Sequence, residues 1–188
     1  MDSKRGRPTA AERDRRRDAI LDAARDRFTR LGFGGTTIEA IAADAGATKR
    51  TIYTWFGDLA GVLTATVARQ HGYLLADDDI DAEGVPIEDA ATRLVLALHS
   101  DVSVSLHRLV IAESPRFPEV AAAFYDAGPA RSIGFLARHV GAPAEQLYTL
   151  LLGEPHRRRL LGLTPAPTPE AARAHARACL ELVGAGGH

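Results

Sequence analysis

Apolar residues along this chain fall into helical stripes punctuated by glycine and proline. Ile20, Ala24, Phe28 and Leu31 recur at spacings of four, four and three, which lays one apolar stripe along a long amphipathic helix. Thr9-Ala10-Ala11-Glu12 reads as the capping box that starts this helix, the hydroxyl capping forward and the carboxylate reaching back. Gly32 stops it, and Gly34-Gly35 continue the break. Thr36-Thr37-Ile38-Glu39 has the form of a second capping box. Behind it Ile38, Ile41, Ala42 and Ala45 share one face of a short helix that Gly46 ends. Thr48 caps a third short helix over 49–55, and Asp58 precedes a longer one through Val62, Leu63 and Val67 to Leu75. The acidic stretch Asp77–Glu83 forms a turn or loop before Pro86. Five further segments are expected at 87–101, 103–113, 118–140, 143–162 and 169–183. Pro115, Pro118, Pro143 and Pro169 fall near their boundaries, where a missing N–H is tolerated, whereas Pro155 lies inside the fourth and predicts a kink around Gly153–Pro155. No period-two alternation stands out, so the expected fold class is all-α.

Residues 36–55 have the shape of a helix-turn-helix. Ala45-Gly46-Ala47 supplies the tight turn, with glycine free to take a left-handed backbone, and Ala42, Ala43 and Ala45 let the two helices approach closely. The second helix opens Thr48-Lys49-Arg50-Thr51, placing hydroxyls and cations at the end that a recognition helix presents to base edges. Tyr53 and Trp55 add aromatic bulk, one toward a phosphate and the other toward the core or the groove edge. The same short motif occurs in proteins that never touch DNA, so by itself it leaves both readings open.

Charge sharpens the picture. Residues 1–55 carry 12 Lys and Arg against 8 Asp and Glu, while the remainder carries 11 against 16. A basic front on an acidic body suits a polyanionic partner for the front alone. Apolar residues make up 46% of the chain, enough for a packed core. The single Cys179 permits no internal disulfide and reads as a buried structural thiol. With a charged N-terminus that lacks a signal-type apolar stretch, it suits a reducing cytoplasm. No apolar run approaches the roughly 18 residues of a membrane span.

The frame Ile20-Leu21-Asp22-Ala23-Ala24, Phe28, Gly32-Phe33, Thr36-Thr37-Ile38-Glu39-Ala40-Ile41-Ala42, Ala45-Gly46 and Thr51-Ile52-Tyr53-Thr54-Trp55-Phe56 resembles the TetR family of repressors over residues 13–63. The resemblance implies a basic arm over 1–8, a helix-turn-helix DNA-binding domain over 9–57 and a ligand-binding and dimerisation domain over 58–188. It implies that Tyr53 contacts phosphate, that Thr48, Lys49, Arg50 and Thr54 read bases, and that Thr37 meets the DNA backbone. Family members usually carry lysine three residues after the phenylalanine of the Tyr-x-x-Phe motif. This chain has Leu59 there and so lacks one phosphate contact. In the arm, Arg5 and Arg7 fit an A·T-rich minor groove, although the same composition also suits a solubilising tail. Of Arg13, Arg15, Arg16 and Arg17, one or two are expected to reach phosphate.

More loosely, Arg108–Pro118 and Phe124–Arg131 resemble the C-terminal domain of efflux-repressor-type members. That implies a homodimer through residues 143–183, for which Leu147, Leu150, Leu151, Leu160, Leu161, Ala174, Ala178 and Leu182 offer apolar faces. The same stripes would also serve a monomer core. A pocket for a small organic effector is expected among His99, Leu106, His107, Phe117, Phe124, Tyr125, Phe135 and Tyr148. The implied function is a DNA-binding transcriptional regulator, a repressor released from operator DNA by ligand. The alternative is a helical protein whose helix-turn-helix docks another protein. No metal spacing, phosphate-cradling loop or nucleophile elbow appears, so neither a cofactor nor an enzyme is expected. The run Arg157-Arg158-Arg159 reads as surface or interface.

Overall fold

The computed structural model describes residues 9–75 and 85–185. Arg5, Arg7 and the acidic stretch Asp77–Glu83 lie outside the described residues. Ten helices and no strand occur among the described residues, in keeping with the all-α expectation. The chain divides into two compact units, Met1–Thr66 and Val67–His188, with the division inside a helix rather than before it.

The first unit contains α1 (Ala10–Leu31), α2 (Ile38–Asp44), α3 (Lys49–Phe56) and the start of α4 (Leu59–Leu75). The Thr9 capping box forms: Thr9 Oγ1 accepts from the Glu12 N–H, and the Glu12 carboxylate accepts from the Thr9 N–H at 2.8 Å, which holds that carboxyl below its ordinary pKa. Ile20, Leu21, Ala24 and Phe28 of α1 are buried with Ile38, Ile41 and Ala42 of α2 and Ile52 of α3. Phe28 stacks on Phe33 at 6.0 Å, so the chain returning from α1 is pinned to its last turn.

The second capping box does not form. Thr37, not Thr36, is the N-cap of α2, accepting from the Ala40 N–H at 3.2 Å. Thr36 is buried and donates instead to the Gly32 carbonyl at 2.8 Å, closing the loop that leaves α1. Two adjacent threonines compete for one cap, and the register of the buried isoleucines decides between them.

The second unit holds α5 (Ile87–Leu98), α6 (Asp101–Glu113), α7 (Pro118–Ala127), α8 (Pro129–Val140), α9 (Ala144–Leu160) and α10 (Pro169–Leu182). Its core joins Ala90, Ala91, Leu94 and Val95 of α5, Phe135 and Leu136 of α8, Leu147 and Leu151 of α9, and Ala172, Ala176 and Leu180 of α10. Alanines on α5 and α10 allow close approach. Arg173 and Arg177 of α10 then bridge to Glu88 and Asp89 at the start of α5 at 2.7–3.0 Å.

The segment expected as one helix over 118–140 is two. Pro129 cannot donate an N–H and excludes the α conformation at Gly128, whose φ of −111° and ψ of −86° turn the chain. The boundary between α5 and α6 also falls two residues earlier than the sequence suggests, because Ser100 caps α6 through the Ser103 N–H. The expected kink is present: Gly153 takes φ 51° and ψ −157° inside α9. Among the described residues no single helix is long and apolar enough to cross a membrane.

Candidate functional site

In the first unit, three threonine caps and two ion pairs fix the reader. Thr48 caps α3 by accepting from the Thr51 N–H at 3.2 Å, and Gly46 makes the turn before it with φ 59°. Arg27 of α1 holds Asp44 at the end of α2 at 2.6 Å. Lys49 of α3 holds Glu39 at the start of α2 at 3.0 Å. Ile52, fully buried, anchors α3. At about 100° per residue Arg50 and Thr54 lie opposite Ile52, and Tyr53 and then Lys49 extend this outer arc toward the buried side.

All four residues of this arc are exposed, as are Thr37 and Thr48 at the two caps. Tyr53 is 52% exposed. The Thr54 hydroxyl donates to the Arg50 carbonyl at 2.7 Å, which leaves its oxygen free to accept. Trp55 is half-buried and turns away from this arc to line a groove with Ala10, Arg13, Asp14, Arg17 and Thr54. The Arg17 guanidinium lies 5.5 Å from the centre of the Phe56 ring, which holds a cation beside the end of α3. Leu59, half-buried in the first turn of α4, brings no charge there.

A helix-turn-helix with a polar, cationic outer arc is the geometry on which comparison with known proteins turns. The family model for bacterial regulatory proteins of the tetR family matches residues 20–73, and that for the C-terminal domain of AefR-like transcriptional repressors matches 87–144. The chain belongs to the TetR family of transcriptional regulators.

Among curated TetR-type relatives, the HTH-type regulator SrpR of Pseudomonas putida is 41% identical over 66 residues, covering 35% of this chain and 31% of SrpR. YdeS of Bacillus subtilis (strain 168) is 44% identical over 63 residues, covering 34% of this chain and 30% of YdeS. The chain thus spans about a third of the length of these curated relatives. A crystal structure of a TetR-family chain from Mesorhizobium loti MAFF303099 superposes with a TM-score of 0.80 at 26% identity, covering 94% of this chain and 97% of that one. The flavonoid-responsive regulator FrrA superposes with a TM-score of 0.68 at 26% identity, covering 90% and 95%.

The second unit of this TetR-family chain holds a partly open cavity of about 240 Å³. Leu98, Phe124, Pro129 and Leu152 form its apolar wall, and Ser103, His107, Tyr125, Tyr148 and His156 bring polar atoms to it. Four residues expected at a pocket therefore line this cavity: His107, Phe124, Tyr125 and Tyr148. The other four do not. Leu106 and Phe135 are core residues, Phe117 is the N-cap of α7, and His99 is buried behind the wall with its ring 5.2 Å from that of His156. His156 was missed in the sequence, although Tyr148, Leu152 and His156 repeat every four residues and so share a face of α9.

The kink in α9 explains where His99 goes. Pro155 has no N–H to give the carbonyl of Leu151, four residues back. His99 Nε2 and His175 Nε2 both donate to that carbonyl at 3.0 Å. Two imidazoles thus replace one missing backbone donor. The thiol of Cys179 lies 3.7 Å from His175 Nε2 and is buried. Burial pushes its pKa up, which fits an inert structural thiol. No group of three or more metal-ligating side chains occurs among the described residues.

The arginine run ending α9 splits. Arg157 and Arg158 are exposed, and Arg157 pairs with Glu154 at 2.7 Å. Arg159 turns inward, against the sequence expectation. Its guanidinium donates to the carbonyls of His99 (3.0 Å) and Thr164 (2.9 Å) and to Asp101 (2.5 Å). It thereby supplies the donors that the end of α5 and the chain leaving α9 lack. Arg108 repeats the device, donating to the carbonyls of Arg159 and Leu160.

Burial lowers the pKa of His156 to about 4, with His107 and His99 adding repulsion, and lowers His99 and His107 in the same direction. A buried neutral base binds its proton more weakly folded than unfolded. The stability it contributes is therefore complete above the unfolded value near 6.5 and is lost as pH falls from there toward 4. The paired carboxylates Glu12, Asp44 and Glu88, all lowered, begin to cost stability only as pH falls to their ordinary values of 4.5 and 3.8, so the upper part of this window belongs to the histidines. Urea midpoints measured between pH 7 and 5 are expected to drop across this range, and to drop less in His156→Leu. An equal slope in both proteins would show that His156 is not the group being titrated.

Proposed function

We propose that this chain is a homodimeric transcriptional repressor that grips operator DNA through α3 and releases it when a small organic molecule fills the α5–α9 cavity. The observation that carries the DNA reading is the outer arc of α3, where Lys49, Arg50, Tyr53 and Thr54 stand exposed on a helix fixed from behind by Ile52 and the Thr48 cap. Arg50 and Lys49 reach guanine edges or phosphate, Thr54 and Thr48 reach bases, and Tyr53 and Thr37 reach phosphate. Arg17, held on Phe56, is a further phosphate contact beside the position where Leu59 supplies none.

Dimerisation is supported by the outer face of α10, where Ala174, Ala178 and Leu182 are exposed, together with Leu161 just beyond α9. Leu147 and Leu151 take no part in it, because both are fully buried in the core of one protomer. One eight-residue reader covers too few bases alone, and two-fold pairing of half-sites supplies the rest. Control by a small molecule is supported by the cavity and by the flavonoid-responsive relative of the same fold. The ligand acts by binding one conformation of the dimer more tightly than the other.

Fluorescence anisotropy on DNA flanking the chain's own gene, across a salt series and against scrambled DNA, tests the reading. Selective binding that weakens steeply with salt, with two protomers or a multiple per site, is the expected result. Binding that ignores both sequence and salt would instead favour a helix-turn-helix that docks protein. The same assay tests the Leu59 gap. Leu59→Lys should tighten binding at low salt and steepen the plot of log affinity against log salt by about 0.9 per added phosphate contact.

A further inference from the structure

Two buried polar side chains of the cavity make no hydrogen bond to any other described residue. His156 is 5% exposed and Tyr148 is 7% exposed. Neither has its polar atoms sealed in the protein, since the one sealed and unpaired side-chain atom among the described residues is the Thr64 hydroxyl. The imidazole and the phenol of these residues therefore open into the cavity they line. A polar atom that opens into a largely apolar cavity and makes no hydrogen bond among the described residues is available to a ligand, so these two side chains mark where a ligand's polar atom belongs.

The rest of the lining defines that ligand. Among the described residues no Asp, Glu, Lys or Arg lines the cavity, so nothing in that lining balances a cation or a permanent anion. Burial keeps both imidazoles unprotonated at neutral pH, and a neutral imidazole offers one nitrogen that accepts and one that donates. Tyr148, its pKa raised to about 12 by the same burial and the nearby Tyr125, stays a phenol and donates. The rings of Phe124, His107 and His156 succeed one another at 4.9 and 5.2 Å with tilts of 30° and 37°, giving the cavity an aromatic wall. The volume of about 240 Å³ lies below the roughly 300–1,000 Å³ of drug-sized pockets, so one or two rings fill it.

We infer that the effector is a small uncharged hydroxyaromatic molecule whose hydroxyl donates to an imidazole of the His107–His156 pair and accepts from Tyr148, with its ring against the Phe124 wall. This rests on the cavity being the effector site. It adds the chemical class and the residues that select it.

Calorimetric titration of the full chain with matched probes tests the inference: 4-methylphenol against 1,4-dimethylbenzene, 2-naphthol against 2-methylnaphthalene, and the two-ring set extended by 2-naphthoate and 2-naphthylmethylammonium. In at least one size class the phenol is expected to bind about ten-fold more tightly than its methyl counterpart, the equivalent of one hydrogen bond in a dry site. Both charged probes are expected to bind more weakly than 2-naphthol. His156→Leu and Tyr148→Phe, checked for wild-type helicity, should each shrink the preference for the phenol while leaving the hydrocarbon's affinity unchanged. Equal affinity for phenol and hydrocarbon, no binding by any probe, tightest binding by a charged probe, or equal loss of both partners in the variants would each overturn the inference. The wild-type protein is titrated with operator DNA in parallel. Intact DNA binding beside a failed phenol preference rejects the ligand class alone, whereas absent DNA binding rejects the reader.

Discussion

Arg50→Ala is expected to weaken operator binding on the order of 100-fold or more, because each half-site loses a contact of about 1–3 kcal/mol and a dimer loses two. Lys49 is already engaged by Glu39 at 3.0 Å, whereas Arg50 is exposed in the first turn of α3 with no ion pair among the described residues. Arg50→Lys separates its two contributions. The charge and most of the salt slope should survive, while sequence discrimination relaxes, since an ammonium cannot make the planar two-point contact to guanine. Anisotropy with operator and scrambled DNA reads both effects. Wild-type affinity and selectivity in Arg50→Ala would place the reading side chains elsewhere on α3.

Arg159→Leu is expected to destabilise the second unit by about 2–3 kcal/mol, because it strips donors from the buried His99 carbonyl and the half-buried Thr164 carbonyl. At a few degrees per kcal/mol for a chain of this size, the melting temperature should fall by roughly 5–10 °C. Asp101→Asn is the matched control. Asp101 is 86% exposed, so its ion pair with Arg159 contributes at most about 1 kcal/mol and the variant should melt within a few degrees of wild type. A large loss in Asp101→Asn with little in Arg159→Leu would mean that the ion pair, not the carbonyl clamp, holds this corner. Arg159 lies three residues beyond His156, so the same turn of α9 that lines the cavity is tied to the end of α5.

The reader was legible because its signals are local. Caps and a left-handed glycine are each set within a few residues of chain, so Thr9, Gly32, Gly46 and Thr48 do in the fold what their spacing suggests. The kink of α9 was legible for the same reason, because a proline withholds its N–H in any context. Where two local solutions were near equal, long-range packing chose. Thr37 took the cap from Thr36 because that register buries Ile38 and Ile41, and Glu39 was left to hold Lys49 across the turn.

Sequence alone determined the caps at Thr9 and Thr48, the exposed polar side of α3 and the break at Pro155, since each follows from steric rules acting over one or two turns. Only the tertiary structure decided which polar groups of the second unit are structural and which are available. Two histidines are consumed by the carbonyl that Pro155 leaves open, one arginine of three turns inward to clamp α5, and His156 and Tyr148 make no hydrogen bond among the described residues at the cavity. Those assignments rest on partners 24 to 60 residues apart along the chain, a separation over which periodicity carries no information and burial of unpaired polar atoms sets the outcome.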